Sequence, residues 1–188
     1  SAALGLAVLV LLALAALGPS GNAFVRADGI TGTVGLLVAV VGWIIVRYSR
    51  RYLDGCSGNA DYVRALLLTL ASVMLVVSGN HLLVLALAWT VSSVGLHRLL
   101  NFFPTRRAAL IAAHKKHVVA TVANAGMVLA ALMLYSAFGS WQIDQLTALA
   151  AAAPELPARA QAAVVLIVLA AILKCAQLPV HGWLIQVM

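Results

Sequence analysis

Six stretches of this chain are apolar on every side over lengths that soluble domains seldom use: Ala2–Leu17, Ile30–Val46, Ala65–Val77, Leu82–Leu100, Val118–Phe138 and Gln161–Leu178. Crossing the hydrocarbon of a bilayer takes roughly 20 apolar residues as a helix, and buried core helices rarely run apolar on all faces for that distance. Composition agrees: 64% of residues are apolar and 9% charged, against about 25% charged in soluble domains, and the mean hydropathy is +1.06. Water could not keep such a chain dispersed. The expected fold class is all-α, a polytopic transmembrane helix bundle with the lipid bilayer as its solvent.

Residues 1–188 read as one transmembrane domain of about six spans. The first span opens at Ser1 with neither an initiator Met nor a basic leader. A helix whose beginning is missing fits this better than a cleaved signal peptide, so the chain is expected to be a fragment with its first and last spans incomplete. The third span, Ala65–Val77, is short; Tyr62 and Val63 on one side and Ser78 on the other can lengthen it.

Basic residues orient the spans, because short cytoplasmic loops carry an excess of Lys and Arg. The loops after spans two and four hold Arg47, Arg50, Arg51, Arg64, Arg98, Arg106, Arg107, Lys115 and Lys116, while those after spans one, three and five hold only Arg26 and Arg159. The basic loops 47–64 and 98–117 are therefore expected in the cytoplasm, and the sixth span runs inward from outside. This asymmetry also accounts for the net charge of +7. The basic residues sit at span ends, where they snorkel to headgroups, and no aromatic-interleaved basic patch of the nucleic-acid type occurs. Cys56, in a loop, and Cys175, within a span, have no spacing that suggests a disulfide or a metal cage, and both are expected to be free thiols.

Lys174 is the one charged residue well inside a span, and a central Lys costs at least about 2.5–3.5 kcal/mol. Five residues later Pro179 lacks an amide hydrogen and clashes with the carbonyl of Cys175, so a helix break near Pro179 is expected. Lys174, Leu178 and His181 fall on one helical face, so an ammonium, an opened backbone and an imidazole are expected to line one hydrated cavity. The plainer alternative is a snorkelling Lys174 beside a helix end.

Two polar stripes accompany it. Span four carries Thr90, Ser93 and His97, and span five carries His117, Thr121 and Asn124, each at spacings of three and four. They are candidates for an ion pathway, although Ser and Thr in membrane helices commonly bond their own backbone. His114 and His117 are one turn apart, but Lys115 and Lys116 between them would repel a cation, and no metal site is expected.

The five acidic residues, Asp28, Asp54, Asp61, Asp144 and Glu155, lie in loops or at span ends, which leaves Lys174 without a counter-ion inside the membrane. It must pair elsewhere or release its proton, the property a proton-relay amine needs. No nucleophile–base pair, phosphate loop or nucleotide fingerprint is visible, so neither a catalytic centre nor a cofactor is expected.

Lys174-Cys-Ala-Gln-Leu-Pro-Val-His-Gly-Trp-Leu184 resembles the K-S-A-Q-x-P-x-H-x-W-L segment of the proton-translocating antiporter-like subunits of respiratory NADH:quinone oxidoreductase, especially subunit L. Asp28-Gly29, Tyr48-Ser49 with Tyr52, and Asn80 with Leu82, Leu83 and Trp89 agree in order, so the resemblance covers most of residues 28–188. Within that superfamily, Ser92-Ser93-Val-Gly-Leu-His-Arg-Leu-Leu100, then Phe102-Phe103-Pro104 and Ala112-Ala113-His114-Lys115-Lys116, is similar to the membrane subunit of DAB-type inorganic carbon transporters. This resemblance implies an inner-membrane subunit in which ion flow drives CO2 hydration to bicarbonate in a partner. That partner would be a large zinc-binding, carbonic-anhydrase-like subunit.

The departures matter too. Subunit L proteins carry a glutamate where this chain has Thr90, and usually an arginine and an aspartate where it has Thr121 and Asn124, so only Lys174 of that ionisable set is present. Three readings stand open: an ion-conducting subunit of a carbon-accumulating complex, a subunit of an NADH-linked or cation/proton antiporter complex, and a membrane scaffold that anchors a partner.

Overall fold

A computed structural model describes residues 20–21, 24–55, 58–102, 107–175, 177 and 181–187. The expected first span, Cys56, Arg106 and Pro179 lie outside these. Among the described residues there are seven helices: α1 (Gly29–Tyr52), α2 (Asn59–Ser78), α3 (Leu82–Leu100), α4 (Arg107–Phe138), α5 (Ile143–Ala152), α6 (Ala158–Lys174) and α7 (Gly182–Val187). Four of them, α1 to α4, are long and apolar enough to cross a membrane. Their outward residues include Ile30, Leu37, Leu87, Val118 and Val122, all more than half exposed. Such a surface suits lipid tails and not water. This is a multi-pass membrane protein built as an all-α bundle.

The expected boundaries hold closely for Leu82–Leu100, and the short third span gains its missing length, since α2 begins at Asn59. Span five differs more. Its helix starts at Arg107 and runs 32 residues, about 48 Å at 1.5 Å per residue. Residues 107–117, expected as part of a basic loop, are therefore helical, because nothing between Arg107 and Val118 is Gly or Pro and Ala is the strongest helix former.

The helices follow one another across the bundle. α1 packs on α2, α2 on α3 and α3 on α4, while α4 also receives α6 and α7. Small residues allow the close approaches. In α1 the buried positions are Gly32, Gly35, Ala39, Gly42 and Ser49, at helical spacing. In α3 a Cβ at Gly95 would collide with the Thr69 hydroxyl of α2. Ala86, Ala123, Met127 and Ala170 form the core between α3, α4 and α6.

One end of the bundle is closed by Asn80. Its amide donates to Phe24 O at 2.9 Å, its carbonyl accepts from Ile143 N at 2.8 Å, and its side-chain oxygen accepts from Asp144 N at 3.2 Å. Arg26 bridges Asp28 and Asp144 at 2.8 and 2.9 Å. Beside it, β1 (Ser20–Gly21) pairs antiparallel with β2 (Arg26–Ala27). Rings of Phe24, His81, Trp141 and Tyr135 stack in succession. Gly139, at φ 71°, ends α4 in the left-handed conformation that a side chain resists. The opposite end carries Arg47, Arg50, Arg51, Arg64, Arg98 and Arg107.

Candidate functional site

α6 stops at Lys174, and the next helix starts only at Gly182. Cys175 and Gln177 are not helical, and the break expected near Pro179 itself falls outside the described residues. The Lys174 side chain leaves its own helix for α3: Nζ donates to Trp89 O at 2.5 Å, to Ser93 Oγ at 2.8 Å and to Ser92 Oγ at 3.2 Å. It also lies 4.4 Å from the centre of the Trp89 ring. Three donors thus meet three acceptors and an aromatic face, and among the described residues dipoles, not a carboxylate, hold the amine. The acceptors are available because each serine hydroxyl turns back to Trp89 O, at 2.7 Å from Ser92 and 3.2 Å from Ser93.

A second lysine ends at the same serine. Lys116, expected in a loop, sits on α4 with only 5% of its surface exposed, and its Nζ donates to Ser93 O at 2.6 Å. Both amines line a partly open cavity of about 210 Å³ together with Thr69, Ser92, Ser93 and Trp183, room for several waters. With 1.5 Å rise per residue, Ser93 stands about 16 Å along α3 from Leu82 and about 10 Å from Leu100, well inside the hydrocarbon.

The other candidates fare differently. Ser93 is central. Thr90 returns its hydroxyl to Ala86 O at 2.9 Å and stays outside the cavity. His97 contacts Asn101 at 3.0 Å and faces the ring of His117 at 4.7 Å, which joins the two stripes at one point. Thr121 is exposed and bonds His117 O of its own helix at 2.8 Å. Asn124 Oδ1 is buried with no hydrogen-bond partner among the described residues. His181 lies in the turn before α7, where its carbonyl accepts from Leu184 N at 2.9 Å. It therefore does not share a continuous helical face with Lys174, and it does not line the cavity.

The stripe on α4 needs correcting by one residue. The face turned inward is Ala112, Ala113, Lys116, Ala120, Ala123, Met127 and Ala130, about 100° from His117, Thr121 and Asn124. Alanines let α3 and α6 come close, which the bulkier neighbouring stripe would prevent. The signal was present in sequence: Lys116 interrupts a run of small residues at spacings of three and four.

Residues 79–188 match the family described as NADH:quinone oxidoreductase/Mrp antiporter, TM. The chain belongs to that family. Among its relatives, a probable inorganic carbon transporter subunit DabB of Hydrogenovibrio crunogenus is 46% identical over 155 residues, 80% of this chain and 29% of that protein. A probable subunit DabB2 of Halothiobacillus neapolitanus is 40% identical, over 87% of this chain and 30% of that protein. NADH-quinone oxidoreductase subunit L of Pseudomonas aeruginosa is 30% identical, over 90% and 28%. The chain thus spans under a third of the length of these relatives. In fold it is similar to a chain of respiratory complex I from Thermus thermophilus with bound aureothin, with a TM-score of 0.77 at 24% identity, over 98% of this chain and 39% of that one.

Proposed function

We propose that this chain forms part of the ion-conducting membrane subunit of an energy-coupled complex that accumulates inorganic carbon, with the proton as the ion. The observation that carries the reading is Lys174, an amine held inside the bundle by hydroxyls and a carbonyl, beside a cavity with room for water. An ammonium in that setting can hand a proton to cavity water and take one back, because no anion among the described residues locks its charge. Ser92 and Ser93 orient both the amine and such water. The similarity to the two DabB subunits supports carbon as the cargo of the complex. The chemistry on CO2 would fall to a large zinc-binding, carbonic-anhydrase-like partner, with the complex in the inner membrane and the basic ends of the helices cytoplasmic.

A second reading, a subunit of an NADH:quinone oxidoreductase or cation/proton antiporter complex, draws on the family match and on the subunit L similarity. Thr90, Thr121 and Asn124 weigh against it, since none of them titrates. Growth of a host lacking its carbonic anhydrases, at ambient CO2 and with the full-length protein at matched levels, tests the first reading. Lys174→Met keeps length and removes charge, and is expected to abolish growth while the complex still assembles. Lys174→Arg is expected to fail too, because guanidinium holds its proton. Wild-type growth of Lys174→Met overturns the assignment in favour of a scaffold. Co-purification of a redox assembly in place of a zinc protein favours the second reading.

A further inference from the structure

We propose that Lys116 is a second proton-carrying residue of the path, exchanging a proton with Lys174 through water held at Ser92 and Ser93. This rests on the ion-path reading of Lys174 and extends it to a residue whose neighbours in sequence disguise it as part of a charged loop.

Placement is the first argument. Lys116 is buried to 5% exposure on a face otherwise made of Ala and Met, where a Met at the same position would pack without any cost of taking an amine out of water. Among the described residues its hydrogen bond goes to Ser93 O, on the residue whose hydroxyl accepts from Lys174. The two amines therefore approach one residue from two different helices. A carbonyl cannot relay a proton, so the transfer runs through the cavity that both amines line.

Charge is the second. The charged or titratable groups beside Lys116 are Lys115 and His117 on its own helix, His97 on α3 and Lys174 on α6, while α2 and α7 bring Thr69 and Trp183 to the cavity. No carboxylate lines the cavity among its described residues. Two ammonium ions lining one cavity without an anion repel, which favours a single proton between the two amines. The step balances simply. An N–H bond of protonated Lys174 breaks as a cavity water takes the proton, and that water gives up a proton to the lone pair of neutral Lys116. One N–H bond is lost and one is formed, with no change of oxidation state.

The test uses the full-length protein, with the subunits that co-purify, in liposomes containing a trapped pH-sensitive dye. Flux is driven by a membrane potential at equal starting pH. Lys116→Met and Lys116→Arg are each expected to lower proton flux at least tenfold. Lys116→His, which can release its proton at accessible pH, is expected to keep measurable flux with its pH profile moved toward acid. A structural role would not produce that shift. Wild-type flux in Lys116→Arg shows that a fixed charge suffices and overturns the proposal, as does Lys116→His conducting no better than Lys116→Met. Should Lys116→Met fail to assemble, Arg and His still decide. Lys174→Met in the same liposomes separates the two claims. Wild-type flux there removes the ion-path reading altogether, whereas loss there beside normal flux in Lys116→Arg removes only the role of Lys116.

Discussion

α1 and α2 meet over Ala39, Gly42, Leu67, Leu70 and Met74 around a groove of about 230 Å³ with no polar side chain in its lining. α3, α4 and α6 also meet over small residues, yet around a cavity of similar size lined by two amines and three hydroxyls. Small residues alone therefore do not mark an ion path. They set how closely two backbones approach, and what fills the remaining space decides whether it is lipid-like or wet. In the first contact a Leu fills it. In the second, long flexible amines from α4 and α6 reach across to carbonyl and hydroxyl groups of α3.

The largest test of this difference is functional. Lys174→Met should take one of the two amines out of the cavity and reduce proton flux at least tenfold with the complex intact, measured in liposomes. Next comes packing. At Gly95 a methyl would meet the Thr69 hydroxyl, which is tied to Ala65 O at 2.7 Å on a stiff β-branched side chain. Gly95→Ala should therefore cost about 1–3 kcal/mol by overpacking, read as a lowered melting temperature in detergent.

A smaller effect belongs to the closed end. Asp28 caps α1 by accepting from Thr31 N at 2.8 Å, and that bond, with Arg26 beside it, holds its carboxyl below the ordinary carboxylate value. A carboxyl so depressed stabilises the fold above a pH of about 4 and loses that contribution as pH falls through its folded value. Asp28→Asn keeps a capping oxygen, so its melting temperature should be flatter across that acid limb than the wild type's. Least of all should follow from Gly42→Ala and Thr90→Ala. A methyl at Gly42 meets only the movable tip of Leu70, at 2.8 Å, and helix propensity offsets the strain. Thr90 serves its own Ala86 carbonyl. Both should stay within about 0.5 kcal/mol of wild type. A Gly42→Ala cost equal to that of Gly95→Ala would erase the distinction between the two contacts.

Hydropathy alone made spans two to five legible, with Leu82–Leu100 read to its ends, because lipid demands a continuous apolar run and leaves little freedom in placing it. Lys174 was legible for the complementary reason, as a cost that needs an explanation. Lys116 was not. It stands among Lys115, His114 and His117, a local cluster that reads as solvated, and only the alanine spacing on either side reveals its direction. The Asn80 closure was equally hidden, since it joins backbone groups of residues 24, 80, 143 and 144, far apart in sequence and with no shared side-chain pattern. His181 was misplaced because a helical wheel assumes a continuous helix, the very thing interrupted between Lys174 and Gly182.

The Asn80 closure gives α3 the mechanics of a rod clamped at one end. Thirteen residues on, Ser93 stands about 20 Å from the clamp, so a tilt of about 5° swings it by about 1.7 Å, while Leu85 travels less than half as far. Lys174 reaches Ser93 Oγ at 2.8 Å, and a swing of that size suffices to part them. A tilt about the closed end is thus felt at the contact between the amine and its serine while that end stays almost at rest, and the close fit of Gly95 against Thr69 is what opposes it.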